Sequence, residues 1–404
     1  MLDTKITDEN KKQFKMSEVI ILFIITLIIG FILGLSIFKV IYEKSDNKKG
    51  ISEDDYISKF VENYKYIIDN YYGDIDKDKL IDSAIAGMLN SIDDPYTTYI
   101  DDSTSNSFNT TLQGNFNGIG VEVVNDSDNN IVVYRVLDDS PAYRAGLQSM
   151  DIIKSVNGAS VMNMSTADFV SIIKNSELST FDMVVLRDNK EISFKINREN
   201  VVIKSVKSDI FERNDKKIGY IYMSIFASNS YSQFKSELDK LESSGIDSLI
   251  IDVRSNTGGH LTTVENILSL FLDSSHIIYQ TEDKNGISKA YSHGSVTKDY
   301  KIVVLTNEAS ASASEILAAA LNEEYGALLV GKHTYGKGTV QELKTLSDGQ
   351  QYKFTTKKWL TPNGNWINGV GIPVDIEVEF NKDYYDNPTV DNDNQLQAAI
   401  ETLL

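Results

Sequence analysis

An α/β core built on a parallel-type sheet, with an inserted β/α unit, an N-terminal helical region and one transmembrane helix, is the fold class that this 404-residue sequence predicts. Three features point to it. Residues 19–38 are twenty residues without a charge. Residues 114–200 are short strands of alternating pattern. Beyond residue 200, apolar strand, glycine- or serine-rich loop and helix recur in that order, as crossover-linked parallel strands do.

The length fits two or three domains. The formal net charge is -19, which argues against nucleic acid as a partner, because phosphate binding needs a basic surface. The absence of cysteine excludes disulfides, thiolate catalysis and cysteine-based zinc sites. The first 44 residues are close to neutral, so the acidic excess lies in the remainder.

Residues 1–18 form a short N-terminal tail ahead of "VIILFIITLIIGFILGLSIF". At ~1.5 Å per residue that run spans ~30 Å, the thickness of a bilayer's hydrocarbon core. A cleaved signal peptide has a shorter apolar core and a small-residue cleavage site. None follows here, so an uncleaved anchor is expected. Lys5, Lys11, Lys12 and Lys15 precede the span, and Lys39, Lys44, Lys48 and Lys49 follow it, so flanking charge leaves the orientation open. Gly30 and Gly34 allow close helix pairing, and equally suit a lipid-facing helix.

Residues 39–51 read as a polar tether and 52–113 as a helical region. Tyr56, Phe60, Tyr64 and Ile67 keep helical spacing. A second helix is expected at 80–89, and Pro95 in "DDPYTTYID" (93–101) ends it. In the 114–200 unit, "SPAYRAGLQSMDIIKSVNG" gives a Ser-Pro helix start, a strand and an Asn-Gly turn. Residues 201–380 are the α/β core, and 381–404 a C-terminal helical segment.

None of the four histidines forms a zinc motif, so no metal and no cofactor is expected. The run "SASASE" (310–315) lies where the strand 302–305 enters a helix. Reactive groups gather at that end of an open α/β sheet. Helix capping alone would also place serines there. The unpaired amides of a helix N-terminus, with Gly258 and Gly259 on the neighbouring loop, could stabilise an oxyanion. A serine nucleophile needs a base. Lys337, flanked by Gly336 and Gly338, could be desolvated and thus neutral, giving a Ser–Lys pair, and Gln341 could hold its amine through the side-chain oxygen. A lone lysine is ordinarily a solvated charge, and a Ser–His enzyme drafting His260 or His333 stays open.

Seven segments, in order, resemble the carboxyl-terminal processing peptidases, a Ser–Lys endopeptidase family with an inserted PDZ domain. They are "AIAGMLNSIDDPYTTYID", "FNGIGVEV", "SPAYRAGL", "LIIDVRSNTGG", "SASASEILAAAL", "TYGKGTVQ" and "QLQAAIETL", and they cover most of residues 52–404. The resemblance implies an α/β catalytic core with an inserted PDZ-like β/α domain. It implies that Ser312 is the nucleophile, Lys337 the general base and Gln341 the residue that orients it. Ala313 N–H and a glycine of the Gly258–Gly259 pair would form the oxyanion hole, leaving Ser310 and Ser314 structural. "RSNTGG" lacks the family's usual proline, and Met150 stands where a PDZ turn usually has glycine.

In the PDZ-like unit Gly118, Ile119, Gly120 and Val121 would offer backbone amides to a terminal carboxylate, with the peptide adding to a strand edge. The expected partners are therefore protein or peptide substrates met at their C-termini, and the membrane. A homodimer and a protein regulator of the PDZ domain are further partners in view. The resemblance implies a single-pass protein of the cell membrane with its protease domain on the extracytoplasmic side. The rival reading is a catalytically inactive, membrane-tethered PDZ binding module, which would require a broken Ser–Lys–Gln set.

Overall fold

A computed structural model describes residues 30–37, 52–100, 112–345, 351–382, 384 and 387–404. The chain divides into two compact units, Met1–Ala84 and Ile85–Leu404. Of the first, residues 30–37 are an exposed helix. The rest of the expected span 19–38, with the tail 1–18 and the tether 39–51, lies outside the described residues. Among the described residues no helix is long and apolar enough to cross a membrane. The helix Glu53–Asn70 starts at a reciprocal cap, in which Ser52 and Asp55 each accept the other's backbone N–H. A second helix, Lys77–Asn90, begins in this unit and ends in the next.

The second unit is built on a six-stranded sheet, in the order Val206–Arg213, Lys216–Met223, Ser248–Asp252, Lys301–Thr306, Leu328–Gly331 and Ile376–Glu377. The expectation of a parallel-type sheet needs correction at one edge. Val206–Arg213 and Lys216–Met223 form an antiparallel hairpin, and every later pairing is parallel. The central strands are apolar on both sides, as a sheet covered on two faces requires. Leu249, Ile251, Ile302 and Val304 point into one core with Phe234 and Phe271. Ile250, Val303 and Leu305 point into the other, against Leu396, Ala399, Ile400 and Leu403 of the C-terminal helix Asn394–Leu403. Each such buried side chain contributes roughly 1.5–3 kcal/mol.

A second, antiparallel sheet was not read from the sequence. It joins Thr98–Ile100, Gln351–Leu360, Ile277–Asp283 and Gly286–Tyr291, and Thr339–Thr345 pairs with Gln351–Leu360. Most of Gln351–Leu360 is half-buried on both faces, so it lacks the apolar alternation that marks a strand.

The inserted unit has its own five antiparallel strands, Val121–Asn125, Ile131–Val136, Ile152–Val156, Thr180–Arg187 and Lys190–Asn197, with the short strand Ala159–Ser160 beside the third. Its separate core includes Phe169, Phe181, Met183 and Val185. Chain enters and leaves through the antiparallel pair Asn115–Gly118 and Glu199–Val202. Ser140 caps the helix Pro141–Ala145, and Gly146 ends it at φ 93°. Buried Asp151 takes two hydrogen bonds from Arg187, at 2.6 and 2.7 Å.

Met150 occupies the turn position in the left-handed region, at φ 72°, with its side chain exposed and its N–H bonded to Val133 O. A side chain there costs about 1–2 kcal/mol that glycine avoids, partly offset by glycine's greater freedom when unfolded. Met150→Gly is expected to stabilise the fold by about 0.5–1 kcal/mol. A higher urea midpoint with unchanged slope is the expected result, and a lower midpoint refutes it.

Candidate active site

Three loops meet beyond the carboxyl ends of the central strands. Ser248–Asp252 runs into residues 253–260, Lys301–Thr306 into 307–312, and Leu328–Gly331 into 332–338. The three serines of the second loop are not equivalent. Ser310 is buried, and its hydroxyl donates to Val253 O at 2.8 Å while accepting from Asn307 N–H. Ser314 is buried, and its hydroxyl donates to Asn256 O at 2.8 Å. Ser312 is only half-buried, and its hydroxyl donates to no described residue. Its backbone is at φ 56°, ψ -114°, a strained geometry for a non-glycine residue, directly before the helix Ala313–Ala320.

That strain is held by a group the sequence reading missed. Glu315 is fully buried in the first turn of the helix. Its Oε2 accepts from Ser312 N–H at 2.8 Å and Lys337 N–H at 3.0 Å. Its Oε1 accepts from the Thr334 hydroxyl and Gly336 N–H, both at 2.7 Å. The Thr334 hydroxyl accepts from Ile372 N–H, so its own hydrogen is committed to Glu315. Burial pushes the Glu315 pKa up, and these donors pull against it. All four contacts are donated to the carboxylate, so the ionised form is the one that fits. Ser-x-x-Glu ahead of an apolar run is a capping signature that could have flagged it.

Lys337 lies in the third loop, which close backbone packing fixes. A Cβ on Gly336 would come 2.8 Å from Gly371 N, and one on Gly338 would come 2.7 Å from Asn368 N. Trp359 Nε1 donates to Lys337 O at 2.6 Å, and Trp366 Nε1 to Gly338 O at 2.8 Å. Burial lowers the Lys337 pKa from 10.5, helped by Lys353 and opposed by Glu315 and Asp94. The amine makes no hydrogen bond among the described residues. It stands over the ring of Tyr96, 4.9 Å from the centroid.

Gln341 is therefore not seen holding the amine. Its Nε2 donates to Thr339 Oγ1 at 2.8 Å and Thr355 Oγ1 at 3.1 Å, and its side-chain oxygen has no partner among the described residues. Gly258 lies against Ser312, since a Cβ on it would come 2.8 Å from Ser312 Cβ. Its own N–H is taken by buried Asn256 Oδ1 at 2.9 Å, so it is not free to donate to an oxyanion. The amides of Ala313 and Gly259 donate to no described residue. Without the proline, the loop is held by Asn256 Nδ2 to Met223 O and by Ser255 N–H to Asn307 Oδ1, both 2.8 Å. Neither His260 nor His333 bonds to Ser312. His260 Nε2 meets Leu112 O at 3.0 Å, and His333 Nδ1 meets Thr334 O at 2.9 Å.

Arg254, at the end of a central strand, also went unread. It binds Asp252 at 2.6 Å and Asp393 at 2.7 Å, tying the loop to the C-terminal helix. Burial alone would lower its pKa, but the two carboxylates outweigh burial and raise it.

In the inserted unit, Gly118 ends a strand and Val121 begins the next. Ile119 O accepts from Ala142 N–H at 2.9 Å, and Gly120 O from Leu137 N–H at 3.0 Å. The carbonyls are thus engaged, while the amides of Ile119 and Gly120 donate to no described residue. A Cβ on Gly120, at φ 84°, would come 2.2 Å from Ser140 Cβ. Val121–Asn125 is the edge strand of its sheet, and the helix Thr166–Asn175 lies beside it, fixed by Asn125 Oδ1 accepting from Thr166 N–H at 3.0 Å.

Residues 217–378 match the family model for peptidase family S41, residues 109–186 the PDZ domain, and residues 37–104 the activating protease CtpB N-terminal domain. The chain is 36% identical to carboxy-terminal processing protease CtpA of Bacillus subtilis (strain 168), over 87% of this chain and 75% of that one. It is 38% identical to carboxy-terminal processing protease CtpB of the same organism, over 80% of this chain and 67% of that one. A solved structure from Bacteroides fragilis NCTC 9343, described as an S41 protease, shares the fold at TM-score 0.52 and 16% identity, over 82% of this chain and 98% of that one. With a PDZ domain inserted into an S41 peptidase core, the chain belongs to the carboxy-terminal processing proteases, which are serine-type peptidases.

Proposed function

We propose that the protein is a membrane-anchored serine endopeptidase that recognises protein C-termini through its PDZ domain and cleaves by a Ser312–Lys337–Gln341 mechanism. The observation that carries the mechanism is the Ser312 hydroxyl. Among the described residues it alone of the three serine hydroxyls donates to no partner, it stands at a strained helix start, and one buried carboxylate joins its backbone to that of Lys337. Neutral Lys337 takes the proton of Ser312 Oγ as Oγ attacks the scissile carbonyl carbon. The carbonyl oxygen becomes an oxyanion in reach of the Ala313 and Gly259 amides. The C–N bond breaks, and the Lys337 ammonium gives its proton to the leaving amine. Water then attacks the acyl ester with Lys337 again as base, the bond from the acyl carbon to Ser312 Oγ breaks, Oγ takes the proton back from the Lys337 ammonium, and the carboxylic product leaves. In the working site Gln341 Oε1, which has no partner among the described residues, turns to accept from the amine.

The same reading places the uncharged run 19–38 in the cell membrane and the protease domain on the extracytoplasmic side. A protease added to intact cells is then expected to remove residues beyond 52, and full protection of them refutes that side.

Ser312→Ala is expected to abolish cleavage of an unfolded protein substrate, while Ser310→Ala and Ser314→Ala keep turnover in folded protein. Because the base acts when neutral, wild-type activity rises with pH through the lowered Lys337 pKa, below the ordinary 10.5. Activity retained in Ser312→Ala, or falling across that pH range in stable protein, overturns the mechanism.

Recognition by the PDZ domain rests on the Ile119 and Gly120 amides, which have no partner among the described residues, beside the edge strand Val121–Asn125. Amidating a peptide's terminal carboxylate is expected to weaken its binding at least tenfold, since a charge-assisted hydrogen bond contributes about 1.5–3 kcal/mol. Equal affinity for acid and amide, measured by calorimetry, refutes the carboxylate loop.

A further inference from the structure

We propose that Tyr96 is a positioning residue for the general base, its ring face holding the Lys337 ammonium in the intervals when the amine is not engaged with Ser312. This rests on the reading of Lys337 as the base. The segment "DDPYTTY" lies more than 200 residues from that lysine in sequence, yet it lines the site. Thr98 pairs with Lys353 in the antiparallel sheet, and Thr355 N–H donates to the buried Thr97 hydroxyl at 3.1 Å. Asp94 fixes the turn by accepting from Tyr96 N–H at 3.0 Å and the Thr97 hydroxyl at 2.6 Å. Thr355 also receives Gln341 Nε2 at 3.1 Å, so the segment and Gln341 share one strand as support.

The ring's chemistry suits the role. An aromatic face attracts an ammonium and has no such attraction for a neutral amine. Lys337 Nζ at 4.9 Å from the centroid is within that range. Burial, the Tyr335 hydroxyl and the charges of Glu315 and Asp94 push the Tyr96 hydroxyl up to about 12, so it stays neutral through any working pH. The charged or titratable groups facing the amine are Asp94 and Tyr96 from this segment, Glu315 from the nucleophile helix, Lys353 from the strand Gln351–Leu360, and Tyr335 beside Tyr96. Glu315 serves four donors, so the ring and Asp94 are left to stabilise the positive charge on Lys337 while it carries the proton between Ser312 and the leaving amine. The ring thus favours the ammonium twice. It raises the pH needed to free the base, and it stabilises the ammonium that forms once the proton has moved.

The test uses the full chain with Tyr96→Leu and Tyr96→Phe. Two readouts are taken: the pH profile of kcat/KM on a peptide substrate, and the pH midpoint of Lys337 acylation by an amine-selective reagent, read by mass spectrometry in a Ser312→Ala background. Tyr96→Leu is expected to lower both midpoints by about 0.5–1 pH unit and to cut the high-pH plateau of kcat/KM by about threefold or more. Tyr96→Phe, which keeps the ring, is expected to stay within about 0.2 unit and twofold of wild type. An unmoved midpoint in Tyr96→Leu, or Phe behaving as Leu does, overturns the proposal. If Tyr96→Leu fails to fold, Tyr96→Trp decides, because its stronger face should raise the labelling midpoint, and an unchanged or lower one overturns the proposal. The labelling arm needs no turnover, so it reports on the ring even if activity in Ser312→Ala were to refute the Ser–Lys reading.

Discussion

The site depends on the Glu315 carboxylate. Two loops from different strands, one carrying Ser312 and the other Lys337, are held together, and neither loop is regular structure. Four hydrogen bonds to one buried anion join them: Ser312 N–H, Lys337 N–H, Gly336 N–H and the Thr334 hydroxyl. An ionised carboxylate in an apolar interior is costly unless its lone pairs are satisfied, and here they are. Losing any one donor would leave a buried charge short of a partner, so the arrangement resists partial loosening. It also fixes Ser312 at a positive φ, where backbone strain would otherwise be relieved by rotation.

The electrostatics around Lys337 follow from this geometry. Desolvation favours the neutral amine, while Glu315 and Asp94 favour the ammonium. Because Glu315 meets the lysine through its backbone N–H, its charge is largely engaged by amides. The carboxylate therefore organises the lysine's loop without directly pairing its amine, a pairing that would hold the amine charged.

Much of the architecture is legible in the sequence because it obeys simple periodicities. The strands Ser248–Asp252 and Lys301–Thr306 are short apolar runs, and the loops after them carry the serines and glycines expected at the ends of such strands. Gly336 and Gly338 are readable as sites of close backbone approach, and the distances bear this out. Glu315 is harder to read, since a buried carboxylate and a surface carboxylate look alike until the donors around it are known. The antiparallel sheet escapes notice because lysines and threonines on half-buried strands blur the alternation. The expected Gln341–amine contact is not seen among the described residues, where the glutamine's NH2 group donates to two threonines and its oxygen has no partner. Tyr96 and Asp94 could not be placed at all, since nothing local ties "DDPYTTY" to a lysine so far along the chain.

The long-range closure through Thr97 and Thr355 has a kinetic consequence. These residues are 258 apart in sequence, and the contact between them brings Tyr96 to the lysine. Such a contact forms only after the intervening chain, including an entire inserted domain, has been made. A ribosome-bound chain that stops short of residue 351 therefore lacks the strand on which the Tyr96 segment rests. The inserted domain meanwhile has its own core and joins its two ends in a neck, so it can fold without waiting for the rest. Synthesis thus imposes an order in which the inserted domain can complete its own core before the lysine's surroundings are assembled.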